Sequence, residues 1–147
     1  MTALDKETLE ATLGSLDEFA KRYLPDAKLL ELDAKDEFPE EIVRRMCGEE
    51  LGLQLFFVPE AYHGMGGSSF DLYRICERMA AIDLGVATGV LATFLGSEPI
   101  SVGGTQEQKE RWLGRIADEG ILFAYGATEP QAGSDLAALR TVAERVE

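Results

Sequence analysis

The side chains best suited to chemistry stand together in one stretch, ILFAYGATEPQAGSD, over residues 121–135. Thr128, Ser134 and the backbone around Gly133 offer hydroxyls and N–H groups to a polar, partly anionic ligand. Pro130 removes one donor and biases Glu129 away from the α region, so the segment opens as a loop. An ordinary strand end closed by a Pro/Gly turn reads from the same residues, and that alternative stays open on pattern alone. Upstream, Ile121, Leu122, Phe123, Ala124 and Tyr125 form an apolar run between Gly120 and Gly126. A run of that length and aromatic content predicts a buried strand.

Other chemistries find little material. His63 is the sole histidine and stands beside no sequence partner, so it reads as a loop residue and not as a catalyst. Cys47 and Cys76 fall in helical patterns outside any C-x-x-C or His/Cys cluster, which predicts reduced thiols in a cytoplasmic protein and no zinc site. The formal net charge of −13 over 147 residues argues against nucleic acid and against an anionic membrane surface. A local nest of N–H groups still suits a small anionic ligand. The chain shows no basic-then-apolar start and no apolar run of about 18 residues, so neither a signal peptide nor a membrane span is expected. With 46% hydrophobic and 28% charged residues it reads as a globular chain of one domain, or one domain plus part of another.

The elements that must hold the loop are mostly helices. Leu9, Leu13, Leu16, Ala20 and Tyr23 recur at helical spacing over residues 4–24, and Pro25 closes the pattern. Residues 26–37 lack a clean period and are expected to form a solvated connector with at most a short helical turn. Phe38-Pro39-Glu40-Glu41 starts a helix that buries Ile42, Val43, Met46 and Cys47 and ends near Gly52. The glycine loop Gly64-Met65-Gly66-Gly67 has backbone needs that side chains would not meet, either as a flexible tip or in packing or ligand contact. Ser68 and Asp71 form a capping-box start for a helix carrying Leu72, Ile75, Cys76 and Met79. Residues 83–95 carry no charge after Asp83 and place Ala87, Val90, Leu91, Phe94 and Leu95 in one stripe. Core is the first reading of that helix and ligand contact the second. Glu98-Pro99 is expected to break it, leaving it too short to cross a bilayer. Thr105 and Gln108 form a second capping box, opening a helix with Trp112, Leu113 and Ile116 inward. After Asp135, weak alternation through Thr141, Val142 and Ala143 predicts the beginning of a second strand.

The motif A-x-G-A-T-E-P-Q-A-G-S-D resembles the flavin-facing loop of the acyl-CoA dehydrogenases. The resemblance extends to Phe38-Pro39, Leu51-Gly52-Leu53 and Val58-Pro59-Glu60 with the glycine loop. It continues through Gly96-Ser97-Glu98-Pro99-Ile100, Gly104-Thr105-Gln106-Glu107-Gln108-Lys109 and Trp112-Leu113, in order along nearly the whole chain. It implies a mainly α fold: an N-terminal helical-bundle domain over residues 1–120, then the first one or two strands of a middle β-barrel over residues 121–147. In that family the two domains hold FAD, a fatty acyl-CoA lies against the flavin, and a carboxylate removes the α-proton as the β-hydride goes to flavin N5. Carried over by position, Tyr125 lies beside the isoalloxazine, and Ala127 and Thr128 bond its pyrimidine edge. Gly133 and Ser134 meet the pyrophosphate, Ser134 also the CoA side, and Leu91, Phe94 and Leu95 line the acyl pocket.

The resemblance also implies an electron-transfer flavoprotein as acceptor, and an oligomer or completion by a C-terminal part. Two departures stand out. His63 occupies a position that is usually glycine in the family's P-E-x-x-G-G loop. None of Glu129, Glu144 or Glu147 matches the place of the catalytic glutamate, so no catalytic residue is assigned. The chain therefore reads as the front part of an FAD-dependent acyl-CoA dehydrogenase, inactive alone. A non-catalytic assembly subunit pairing with a full-length flavoprotein, and part of an acyl-CoA oxidase, remain alternatives.

Overall fold

The computed structural model describes residues 3–48 and 50–146. Within them the first helix, α1 (Lys6–Tyr23), is capped by Asp5, whose carboxylate accepts the Thr8 N–H at 2.8 Å. Its inward face is Leu13, Leu16 and Phe19, with Leu9, Ala20 and Tyr23 packed half-buried beside them. The stretch expected to be a connector is instead a full helix, α2 (Asp26–Lys35), with no fully buried residue. It lacks an apolar period because it barely contributes to the core. Good helix formers, an acid in the first turn and the Lys28–Glu31 and Glu31–Lys35 pairs hold it locally.

Helix α3 (Glu40–Met46) begins one residue later than expected, with Pro39 as its cap, and stops at Cys47 well before Gly52. It buries Val43 and Met46, and Cys47 follows them into the core. A one-turn helix, α4 (Gln54–Phe57), then buries Phe56 and Phe57. The glycine loop folds back beneath it: the Met65 N–H donates to the Leu55 carbonyl at 2.8 Å and the Gly66 N–H to Val58 at 3.0 Å. A Cβ on Gly64 would stand 1.8 Å from the Val58 oxygen, so the loop is a packing device and not a flexible tip.

The Ser68–Asp71 capping box opens α5 (Ser69–Ile82) as expected. Asp71 is buried and also accepts the Leu4 N–H at 3.0 Å, which fastens the N-terminal segment to α5. Arg78 reaches Asp17 at 2.5 Å and ties α5 to α1.

The uncharged helix differs most from expectation. It runs as α6 (Leu84–Gly103), straight through Glu98-Pro99. Proline inside a helix forfeits one hydrogen bond and costs about 3 kcal/mol. Burial of Val86 and Val90 at about 1.5–3 kcal/mol each, with Ile100 beyond the proline packed half-buried on the second cluster, offsets that. The expectation that this helix is too short to span a bilayer falls with the break: by length and composition alone it is long and apolar enough. Its packing against α3, α4, α5 and α7 (Gln106–Glu119) is that of a central core helix. The Thr105–Gln108 capping box opens α7, which buries Leu113 and Ile116 and leaves Trp112 half-buried.

No β-strand forms among the described residues. Among those residues the one β-contact is an isolated bridge between Glu129 and Ala132. Residues 121–127, expected as a strand, have no neighbouring strand to form a ladder. Their apolar side chains pack on helices instead: Leu122 joins the main core, and Ile121 and Phe123 join a second cluster around Val58, Leu113 and Ile116. The expected second strand is likewise absent. A 3-10 turn at Leu136–Ala138 precedes irregular chain to residue 146, and Glu147 lies outside the described residues.

Candidate functional site

The site grows from the face of α6. Thr93 is polar and buried in a largely apolar helix; its hydroxyl accepts the Phe123 N–H at 3.1 Å. Three residues on, Gly96 lets the segment lie directly on the helix. A Cβ there would stand 2.9 Å from the Phe123 Cβ and 3.0 Å from the Ala124 oxygen. Phe123 meets Trp112 edge-on, with ring centroids 6.0 Å apart. So α6 and α7 together fix where the loop starts. The sequence reading missed Thr93 and Gly96 as anchors, because α6 also carries Thr88, Ser97 and other glycines, and nothing in the pattern singles these two out.

Beyond this dock the chain turns to solvent. Tyr125 is 48% exposed, Thr128, Gly133 and Ser134 are exposed, and Ala127 is half-buried. Among the described residues, no intrachain acceptor takes the N–H groups of Gly126, Ala127, Thr128, Gly133 or Ser134. A Cβ on Gly133 would meet nothing within 4 Å, so the space there is open. The Thr128 and Ser134 side chains are thus not in packed hydrocarbon, and the loop presents donors outward.

Glu129 organises the loop. Its backbone pairs with Ala132 in both directions at 3.0 Å, closing a tight turn around Pro130. Its carboxylate accepts the Arg140 N–H at 2.9 Å, the Thr141 N–H at 2.8 Å and the Gln131 side-chain amide. Hydrogen bonds from Thr141, then Arg140, hold this carboxyl down at about 2. An acid so stabilised as its anion is a poor proton acceptor. Asp135 makes the second turn, accepting the Ala137 N–H at 3.2 Å.

The acyl-lining candidates divide. Leu91 and Phe94 are half-buried against the main core, Phe94 tilted on Phe57 at 5.1 Å, whereas Leu95 is 51% exposed beside Gly96. Of the three, only Leu95 adjoins the place where the start of the loop rests on α6, through its neighbour Gly96. A cleft of about 390 Å³ lies elsewhere, between α2, α3 and the start of α6, lined by Leu29, Asp33, Asp36 and the Phe38-Pro39 motif; none of the residues assigned to cofactor or acyl chain lines it.

His63 takes no part. Its Nδ1 lies 2.9 Å from Asp118, on the exposed surface, and its backbone is left-handed at φ 69°. That conformation favours glycine, which accounts for the glycine of the resembling loop at this position. Burial pushes the Cys47 thiol up to about 12 and raises that of Cys76, so both free thiols are weak nucleophiles. Among the described residues no group of three or more His, Cys, Asp or Glu gathers to hold a metal.

Comparison with known proteins bears on the same elements. The family model described as acyl-CoA dehydrogenase, N-terminal domain, matches residues 6–120. A probable medium-chain specific acyl-CoA dehydrogenase of Caenorhabditis briggsae is 34% identical over 140 residues, 95% of this chain and 33% of that protein. The butyryl-CoA dehydrogenase structure from Megasphaera elsdenii superposes with a TM-score of 0.80 at 29% identity, covering 96% of this chain and 37% of that one. An acyl-CoA dehydrogenase structure from Bacillus anthracis, described as complexed with FAD, gives a TM-score of 0.76 at 28% identity, over 93% of this chain and 23% of that one. The chain spans about a third of the length of the curated relatives it matches.

Proposed function

The chain belongs to the acyl-CoA dehydrogenase family by its N-terminal domain, and from that membership we propose that it supplies the helical wall and flavin-facing loop of an FAD-dependent acyl-CoA dehydrogenase. The observation that carries this reading is the set of N–H groups without intrachain acceptors at Gly126, Ala127, Thr128, Gly133 and Ser134, with the Thr128 and Ser134 hydroxyls, in a loop whose start at Phe123 docks on α6. Such a donor set fits FAD, whose acceptors are a pyrimidine edge and a diphosphate. FAD held there would supply the acceptor for the hydride leaving the acyl β-carbon. Ala127 and Thr128 donate toward the pyrimidine edge, where fixed donors stabilise negative charge. Gly133 and Ser134 receive the diphosphate, with Ser134 also toward the CoA side. Tyr125 offers its ring to the isoalloxazine, and Leu91, Phe94 and Leu95 border the acyl chain.

In this reading the proton-abstracting carboxylate does not come from the described residues. Glu129 is committed to three hydrogen bonds, and Glu144 lies on exposed irregular chain. Electrons then pass to a partner of the electron-transfer flavoprotein class. The 147-residue chain by itself is expected to purify without stoichiometric flavin and to give no acyl-CoA-dependent dye reduction. It is expected to quench added FAD fluorescence weakly, and Thr128→Val is expected to reduce that affinity roughly tenfold, the worth of one hydrogen bond to a charge-bearing acceptor. Dye reduction by the chain alone sinks the division of labour; quenching indifferent to Thr128→Val sinks the role of the loop.

A second reading draws on the exposed apolar side chains Leu136, Val142 and Val146. They favour a non-catalytic subunit that assembles with a larger flavoprotein.

A further inference from the structure

Three local devices fix residues 129–141: the Glu129–Ala132 turn, the Asp135 turn, and the Glu129 carboxylate clasped to the N–H groups of Arg140 and Thr141. The clasp is the one that spans the whole loop, from a residue next to Thr128 to a point seven residues beyond Ser134. Gly133 and Ser134 sit inside that closed span without internal partners. Ala132, at the inner turn, is completely buried although its neighbours are exposed. The buried Ala132 and the clasp at its ends restrain the loop between them.

We propose that Glu129 is a positioning residue, whose clasp sets Gly133 and Ser134 at the distance from Thr128 at which one dinucleotide engages both ends of the loop. The proposal rests on the flavin reading above. Bound groups of opposite type would be gripped at the two ends: the aromatic ring system near Tyr125 to Thr128, the diphosphate at Gly133 and Ser134. Two weak contacts on one rigid support reinforce each other through effective concentration, which a floppy loop loses. Glu129 touches neither group; it acts through the backbone of residues 130–141. Its chemistry is suited to that task, because a carboxylate accepting two backbone N–H groups makes charge-assisted bonds stronger than a neutral side chain would.

The experiment uses the isotope-labelled full chain, read by amide chemical shifts and amide exchange, with riboflavin, ADP and FAD as separate probes. In the wild type, the Arg140 and Thr141 amides are expected to exchange slowly and FAD to bind more tightly than either half-probe. In Glu129→Ala those two amides should exchange freely and the advantage of FAD over riboflavin should drop at least tenfold, with riboflavin affinity unchanged. Glu129→Gln, which keeps one acceptor oxygen, should recover part of both. Loss of amide protection without loss of the FAD advantage overturns the positioning role and leaves the flavin reading intact. Absence of any probe-induced shift at residues 125–134 in the wild type overturns the flavin reading itself.

Discussion

At the scale of single residues, Glu129 and Thr128 illustrate how differently neighbours in one motif are used. Thr128 keeps its donors free, whereas Glu129 spends every acceptor on the loop. The pattern of the motif was legible in the sequence; the division of labour was not, because it depends on Arg140 and Thr141, more than ten residues away and in a stretch with no motif. The carboxyl of Glu129 is held near 2 against an ordinary 4.5, chiefly by Thr141. A depressed carboxyl contributes stability above its unfolded value, and that contribution is lost as pH falls from about 4.5 through about 2. The Arg140 and Thr141 amide resonances should therefore titrate near pH 2. Titration of those resonances near 4.5 would mean that the clasp is absent in solution. His63 carries a similar lesson: its departure from glycine was visible in the sequence, but the left-handed backbone behind that preference was not.

Among the elements, helices with an apolar period and a cap were readable, and those shaped by tertiary neighbours or by ion pairs alone were not. Helices α1, α5 and α7 have apolar periods and caps, and they form where the pattern puts them. Helix α2 buries no residue fully, so periodicity had nothing to report; propensity and ion pairs along one face hold it. Pro99 was read as a stop because local rules treat it so, yet tertiary burial of α6 overrides them. The override has a measurable residue. Pro99→Ala restores a donor to the Leu95 carbonyl and should raise unfolding free energy by up to about 3 kcal/mol. A fall in stability on denaturant titration would show that Pro99 is no burden to the helix. Residues 121–127 fail as a strand for the complementary reason: strand character needs a neighbour, and here Thr93 and Gly96 of a helix take that place. Within the core, Ile75→Ala, at a completely buried position of α5, should cost about 2–5 kcal/mol. A cost under about 1 kcal/mol would contradict the central packing described for α5.

For the whole molecule, the proposed flavin role raises the question of how a chain of net charge −13 would receive a dinucleotide that is itself anionic. Charges spread over the surface are screened beyond about 8 Å at physiological salt, whereas N–H groups in direct contact act at about 3 Å. In the proposed reading the free N–H groups of Gly126, Ala127, Thr128, Gly133 and Ser134 therefore act locally. Family membership and the helical architecture were both readable from motif order, since these motifs punctuate the same helices that carry the core. The most direct test of the flavin shelf is photolabelling of the chain with an FAD analogue bearing an azide on its ring system, followed by peptide mapping. Label is predicted in the peptide covering residues 121–128, abolished by excess FAD. Label concentrated instead in the cleft between α2 and α3, or label that FAD does not displace, would contradict the account.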